Sequence, residues 1–493
     1  MARGDRSEPT VIGLSMALST LSRVADSNGR DAASLQLAQR SVDVIKGPAA
    51  LADASAALRR THANSLWRLG FTQTRQGQEE AAVDSLEASL RLLRGIDGLG
   101  LADLDAATQF AEASSWLAEA YQSLGRVDAA RTVGLEGRKV ASRILASRPN
   151  HYLALRARAL LTDVMANTAS DDWRFEDSLA MKRDAIGDWR TLKDVDPTNA
   201  ISWNNFANAR LGAAMALRNL GRWREAIVLA SENRDVEPFA LSRGLPSPIL
   251  LYTHGTVAFM AGELGDVNRA REHLKHLDRF AAVLRQRLNS GSFEDKLFNA
   301  EVAVYRHEIA SAMADEALMR EVSIGLRDQL ERLQPSDGGQ ARAQAFFLNR
   351  LHRSLGQFAL VRGDAAEAVA QMRLCLVQRE KLPRHTAGDR QQAAEEASLY
   401  AVALARSGRV VEAREVIGPA LRDLQEAERR NVDDNVQRAA LAQALYASAL
   451  ADPTQAGPKL SQARALIDGL HPDLRSTRTQ RWWSERIAEA QRR

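Results

Sequence analysis

Two imidazoles three residues apart, His273 and His276 in the stretch EHLKH, are the clearest hint of chemistry in this chain. On a helix that spacing puts them on adjacent turns, where with Glu272 they could hold one edge of a metal site. No third ligand follows from the spacing. An exposed charged face is the simpler reading of EHLKHLD, so no metal ligand and no cofactor are assigned from sequence. His307–Glu308 begins like the zinc-protease signature HExxH, but residue 311 is serine, so the second histidine is missing. There is no glycine-rich phosphate loop with its lysine, no GxSxG elbow, and no acid–base pair whose spacing demands catalysis. No catalytic residue is assigned, and the chain reads as a non-enzyme.

A second set of residues suggests binding. Asparagine is a poor helix former, yet WNNFANAR carries Asn204, Asn205 and Asn208 inside an otherwise helical pattern. Their amides could pair with the backbone of a bound peptide, or could cap and bridge to the loop near Pro197. Trp67, Phe71, Met215 and Phe259 recur at positions suited to receive apolar side chains. His62, His254 and His352 read as packed or lining such a surface. Everything then depends on which elements hold these residues on one face.

Composition narrows those elements. The chain has 493 residues, 45% hydrophobic and 26% charged, with 30 glycines and 13 prolines, which is ordinary for a soluble folded protein and favourable to helix. The net charge of +4 is a small excess of 66 basic over 62 acidic side chains. Because the two signs are interspersed, a nucleic-acid partner is not expected; Arg475, Arg478 and Arg481 are a local exception. The single cysteine, Cys375 in MRLCLV, excludes a disulfide framework and reads as a buried thiol in a reducing, cytoplasmic setting. VIGLSMALSTL near the start has mixed-charge flanks and no clean cleavage site, so secretion is not expected. Gly244 to Gly262, the longest uncharged stretch, falls short of a membrane span.

The ordering principle is a repeat. QGQEEAA, LGRVDAA, LGRWREA, LGDVNRA, RGDAAEA and SGRVVEA each set a glycine five residues before an alanine. Glycines 29, 77, 125, 221, 265, 363 and 408 serve as anchors, with degenerate turns near Trp173, Met313 and Pro458. About ten units of roughly 44 to 50 residues result. In each, apolar residues recur three and four apart on both sides of the turn, so a unit is two helices. Glycine ends the first helix in the left-handed conformation, and alanine lets the second approach closely. One such pair cannot bury its apolar faces alone, so the pairs must stack.

Leu69–Gly70, Gly77, Ala82 and Leu86 resemble the tetratricopeptide repeat (TPR), as do Leu355–Gly356, Gly363, Ala368 and Met372. LKDVDPTNAISWNN, with Asp196–Pro197 before Asn199, is similar to that family's junction between repeats. The period is longer than the family's, which is about 34. The resemblance implies an all-α fold: an α-α superhelical solenoid of about ten antiparallel helix pairs. It also implies a recruitment or sensing role, since similar arrays are appended to bacterial kinases, regulators and proteases. Residues 1–493 are expected to form one such solenoid, which allows a subdivision at 1–240 and 241–493. The family's Lys/Asn/Arg carboxylate clamp is replaced here by Trp67 and Phe71, Ser115 and Glu119, and Leu211 and Met215, so chaperone-tail capture is not expected.

The concave side of a solenoid is lined by first helices. In this register the peptide- or protein-binding groove consists of Asn64, Trp67, Phe71, Asn204, Asn208, Met215, Arg218, Tyr252 and Phe259. The expected function is a non-catalytic scaffold that binds a protein or peptide, away from membranes. The alternatives are a regulatory solenoid acting with a kinase, protease or DNA-binding module and, of a different class, a metal-dependent enzyme around His273 and His276. TQRWWSERIAEAQRR reads as a final amphipathic helix that caps the stack, with Thr477 and Gln480 spaced as a capping box.

Overall fold

The computed structural model describes residues 7–27, 30–96, 102–242, 248–382, 387–431 and 434–492. Among these there is no strand. The helices follow one another as pairs: α1 (Glu8–Ser27) with α2 (Asp31–Ala49), α3 (Ala56–Arg75) with α4 (Glu79–Arg94), and α5 (Leu104–Ser123) with α6 (Val127–Ser147). Then come α7 (Tyr152–Asp171) and α8 (Phe175–Val195), and α9 (Ala200–Asn219) followed by α10 (Trp223–Ser231), a 3-10 turn and α11 (Glu237–Ser242). α12 (Pro248–Glu263) pairs with α13 (Val267–Arg285). α14 (Phe293–Met313) is answered by two short helices, α15 (Glu316–Ser323) and α16 (Leu326–Glu331). α17 (Gly338–Arg362) pairs with α18 (Ala365–Arg379), α19 (Ala387–Arg406) with α20 (Val410–Arg430), and α21 (Asn435–Ala451) with α22 (Ala456–Asp468). α23 (Pro472–Arg475) and α24 (Arg478–Gln491) follow. The fold is the expected all-α solenoid of helix pairs. It divides into two compact units, an N-terminal one of Met1–Asp171 with Ala180–Ser202 and a C-terminal one of Asp172–Leu179 with Trp203–Arg493.

The Gly–Ala rule has a direct structural cause. Gly77, Gly125, Gly221, Gly265, Gly363 and Gly408 all have φ between 69° and 84°, the region in which a Cβ is penalised. Gly29 lies outside the described residues. Five positions on, Ala82, Ala130, Ala226, Ala270, Ala368 and Ala413 are all completely buried. Earlier in the first helix a second small residue admits its partner. A Cβ on Gly70 would stand 2.5 Å from Leu86 Cγ, and one on Gly356 would stand 2.6 Å from Met372 Sδ. These are the two sets of residues that resemble the repeat family most fully. Gly, Ala and the apolar residue form one helix–helix contact.

Two turns obey the geometry without the residue. Trp173 (φ 65°) and Ala314 (φ 56°) occupy the left-handed region where the repeat lacks its glycine. Val236–Pro248 reads in the sequence as a loop, yet it contains α11. Pro238 stands second in that helix, where its missing N–H breaks no intrahelical bond.

Polar contacts repeat at the same interval and record the stacking. In the N-terminal unit Arg126 reaches Glu80 (2.8 Å), Arg94 reaches Glu136 (2.6 Å) and Arg156 reaches Glu112 (3.0 Å), at separations of 46, 42 and 44 residues. In the C-terminal unit Arg350 reaches Glu308 (3.0 Å) and Asn349 reaches Glu396 (3.1 Å), at 42 and 47. Each side chain meets its counterpart one pair along, as one-dimensional stacking requires.

Candidate functional site

Every residue expected to line a groove lies on a first helix and keeps some exposure. Asn64, Trp67 and Phe71 are half-buried on α3. Trp67 and Phe71 lie 6.2 Å apart, and Phe71 meets Trp116 of α5 edge-to-face at 4.5 Å. This aromatic patch spans two neighbouring first helices of the N-terminal unit. Asn204, Met215 and Arg218 on α9 are half-buried, Asn208 is exposed, and Tyr252 and Phe259 on α12 are half-buried.

In the C-terminal unit the first helices curve around a common space. Arg218 on α9 stands within electrostatic reach of Glu308 on α14, Arg350 and Arg353 on α17, and Glu395 on α19, although these helices belong to pairs far apart in sequence. The curvature goes on until the chain meets itself. Asn435, the first residue of α21, donates to the carbonyl of Leu220 just beyond α9 (3.0 Å) and accepts from the His471 amide (2.6 Å). A Cβ on Gly221 would stand 2.7 Å from His471, so glycine there serves this contact as well as the turn.

The last helices lie across the C-terminal ends of the first helices. Arg224 binds Asp473 (3.0 Å), and Glu263 of α12 accepts from the Thr479 amide and hydroxyl at the N-terminus of α24 (3.0 and 2.9 Å). Arg478 donates to the carbonyls of Ser311 and Ala312 at the end of α14 (3.0 and 2.9 Å). Further on, Trp482 receives Arg406 at 5.2 Å and Trp483 lies 5.8 Å from Tyr446. Thr477 caps α24 by accepting from the Gln480 amide, as its spacing suggested. Arg478, one of the basic cluster near the end of the sequence, is thus engaged with helix termini.

Charge lines the face. Arg350 pairs with Glu308 through both guanidinium branches and lies 4.4 Å over the Tyr305 ring. Burial opposes ionisation of Glu308, but Arg350 outweighs it and holds the carboxyl below its usual range. Tyr252 is pushed up to about 12, by burial first and then by Glu301. Glu395 is pushed up to about 7 by burial, with Arg353 opposing. Among the described residues, Arg218, Arg353 and Glu395 have no ion-pair partner, and all three are half-buried. Phe259 takes the Arg218 guanidinium at 5.6 Å. The groove expected from sequence ends at α12 and does not include Glu301, Tyr305, Arg350, Arg353 and Glu395. The same first-helix register, carried through α14, α17 and α19, was the signal.

The histidines correct the sequence reading. EHLKH is an exposed face only at Glu272 and Lys275: His273 is 2% exposed, because α13 turns it toward α12, and its pKa is lowered to about 3 by burial first and then by His254. His254 and His352 are packed, as expected. His307 donates or accepts at Ser354 (3.0 Å) and is lowered to about 4 by burial. The Cys375 thiol is completely buried and pushed up by that burial, which suits a structural role.

No helix among the described residues is long and apolar enough to cross a membrane. No family model matches the sequence. No curated protein matches it either. Among solved structures, the crystal structure of the yeast Tom70 is similar at 12% identity over 97% of this chain and 96% of that one, with a TM-score of 0.35.

Proposed function

We propose that this chain is a non-catalytic scaffold that binds a protein or peptide along its first-helix face. The observation that carries this reading is the trio Arg218, Arg353 and Glu395, ionisable side chains held half-buried without close ion-pair partners, with Phe259 beside Arg218. Partly desolvated charges without a close ion pair carry a stability penalty, which a ligand that pairs them would recover. Aromatic rings beside them offer the apolar contact that anchors a peptide. Asn204, Asn208, Met215 and Tyr252 extend the same surface toward the other end of the first helices, and Asn64, Trp67 and Phe71 form its counterpart in the N-terminal unit. A protein partner in the cytoplasm, without nucleic acid, is the setting this surface suits.

A random peptide library displayed on phage, selected on the intact protein, tests the proposal. Selected peptides are expected to carry an acidic group beside an apolar one. They should bind at least tenfold more weakly to Arg218→Ala and to Phe259→Ala, with Asn208→Ala showing a smaller loss. Melting temperatures should stay within a few degrees of wild type. Unaltered binding by both Arg218→Ala and Phe259→Ala would remove the face as the site.

A further inference from the structure

The fifth and sixth helix pairs gather four side chains that the binding face does not use. α11 supplies Glu237, α12 supplies His254, and α13 supplies His273 and His276. Glu237 Oε1 lies 3.1 Å from His254 Nε2, and Glu237 Oε2 lies 3.1 Å from His276 Nδ1. One ligand atom from each of Glu237, His254 and His276 falls within 4.8 Å of the other two. His273 stands behind, its Nδ1 3.0 Å from His254 Nδ1. The His254 side chain is 0% exposed and that of Glu237 9%, while His276, at 27%, opens the cluster to solvent.

The polar pairing inside this cluster is incomplete. His254 Nε2 and Glu237 Oε1 are buried, and neither finds a hydrogen bond of acceptable geometry although they face each other. Leaving a buried polar atom unsatisfied costs about 1–3 kcal/mol. The contact between His254 Nδ1 and His273 Nδ1 needs one proton between the rings. If His254 carries it, His254 Nε2 is a bare lone pair turned on a carboxylate oxygen. Two buried acceptors repel unless a cation stands between them. A divalent ion removes the conflict. It accepts both lone pairs and a third from His276, while His254 keeps its Nδ1–H donated to His273. Metal-bound imidazoles are commonly oriented in this way through their other nitrogen.

We infer that Glu237, His254 and His276 form a binding site for a borderline divalent transition metal, zinc foremost, with His273 fixing the His254 ring. Two imidazoles and a carboxylate suit zinc and its neighbours, whereas calcium and magnesium take oxygen ligands. Three protein ligands leave a fourth position for water on the His276 side. Because the ligands come from three helices, the ion ties α11 to α12 and α13. Beside the site, Arg234 is paired with Glu272 at 2.7 Å, so its charge is already neutralised. The sequence offered His273 and His276 as one edge. The structure keeps His276, exchanges His273 for His254, and adds Glu237 from a stretch that read as loop.

The intact chain, stripped with a chelator and dialysed, is titrated with zinc chloride by calorimetry, and its zinc content is measured after gel filtration. One zinc per chain is expected, bound at micromolar Kd or tighter and accompanied by a rise in melting temperature. Glu237→Gln and His276→Ala should each weaken binding at least tenfold and abolish that rise while keeping the helical circular dichroism of wild type. Since His276 is partly exposed, its variant keeps the test valid even if one at the buried His254 fails to fold. His151→Ala, a histidine of the N-terminal unit, should bind zinc like wild type. Wild-type protein that takes up no stoichiometric zinc, or a His276→Ala variant that binds as tightly as wild type, would overturn the assignment.

Discussion

The start of the N-terminal unit and the α17–α19 region of the C-terminal unit satisfy buried polar groups in different ways. At the start of the N-terminal unit, hydroxyls join α1, α2 and α3. Ser15 meets Ser41 (3.0 Å) and Ser65 (2.8 Å), Ser19 meets Ser41 (2.8 Å), and Arg68 donates to Ser22 (3.1 Å). In the C-terminal unit the equivalent depth holds full charges. Arg379 of α18 and Glu396 of α19 are 4% and 0% exposed and bind through two contacts at 2.8 and 3.0 Å, with Asn349 bridging both. Serine pairs are small and neutral, so they tolerate close helices and ignore pH. Buried charges hold only while every member is present. The difference teaches that one kind of helix stack can be joined by neutral hydroxyls or by a buried ionic network, and only the latter leaves a charge stranded when one member is removed.

The largest effect should come from breaking the charged member. Arg379→Ala leaves Glu396 buried without its cation and should destabilise the protein by about 3–5 kcal/mol, read from denaturant unfolding. Ser41→Ala, its counterpart in the N-terminal unit, removes neutral hydrogen bonds and should cost about 1 kcal/mol. Equal losses at the two sites would erase the contrast.

A smaller difference separates Gly70 from Gly356, which occupy the same repeat position. A methyl at Gly70 meets the branched Cγ of Leu86 and, at 3.2 Å, the Ala82 carbonyl, neither of which can yield easily. Gly70→Ala should therefore cost about 1–3 kcal/mol. At Gly356 the obstacle is the flexible Met372 thioether, and alanine's better helix propensity offsets the crowding. Gly356→Ala should stay within about 1 kcal/mol of wild type. Thermal melts of the two variants check the order.

Charge on the C-terminal face should also show as pH dependence. The folded pKa of Glu395 is raised to about 7, by burial first, from an ordinary 4.5. The folded state therefore binds more protons than the unfolded one between those values, and this group's contribution to stability falls as pH rises from about 4.5 to 7. Glu395→Gln removes that loss, so the variant should gain about 1 kcal/mol over wild type at pH 8 after allowance for screening across an open face. Near pH 5 the gain should shrink to little. A constant difference across pH would assign the shift elsewhere. Asp434, pushed up to about 7 by burial, loses a repulsive neighbour in the same variant and should titrate lower.

The smallest expected effect is a stabilisation. Ala314 is exposed and left-handed, so Ala314→Gly should gain up to about 1 kcal/mol by relieving the Cβ penalty. Trp173 shares the conformation, but its side chain is buried and glycine there would lose that packing.

These residues also mark how far the sequence could be read. A glycine's φ and the alanine buried against it are local, so the helix pairs and their interval stood in the sequence. The first-helix face was legible wherever the register was followed, which is why Arg218, Tyr252 and Phe259 emerged and Arg353 and Glu395 did not. The turns near Trp173 and Met313 followed from the interval, but the left-handed conformation of Trp173 and Ala314 did not, because neither residue type favours it. The closure of α9 on α21 joins Leu220 to Asn435, 215 residues away, and no periodicity encodes a meeting at that distance. Glu237 and His254 could not be joined to His276 from spacing alone, since each comes from a different helix and Glu237 sits behind a proline signal that usually announces a loop.

Ligand contact at the first-helix face of the C-terminal unit can be read directly from methyl resonances. The chain has 9 methionines, and Met215 lies half-buried on α9, whereas Met181 sits in the N-terminal unit and Met372 in the core of α18. Titrating a selected peptide into methyl-labelled protein should shift the Met215 signal saturably and leave Met181 and Met372 in place. A saturable shift at Met181 or Met372 with Met215 unmoved would contradict the proposal.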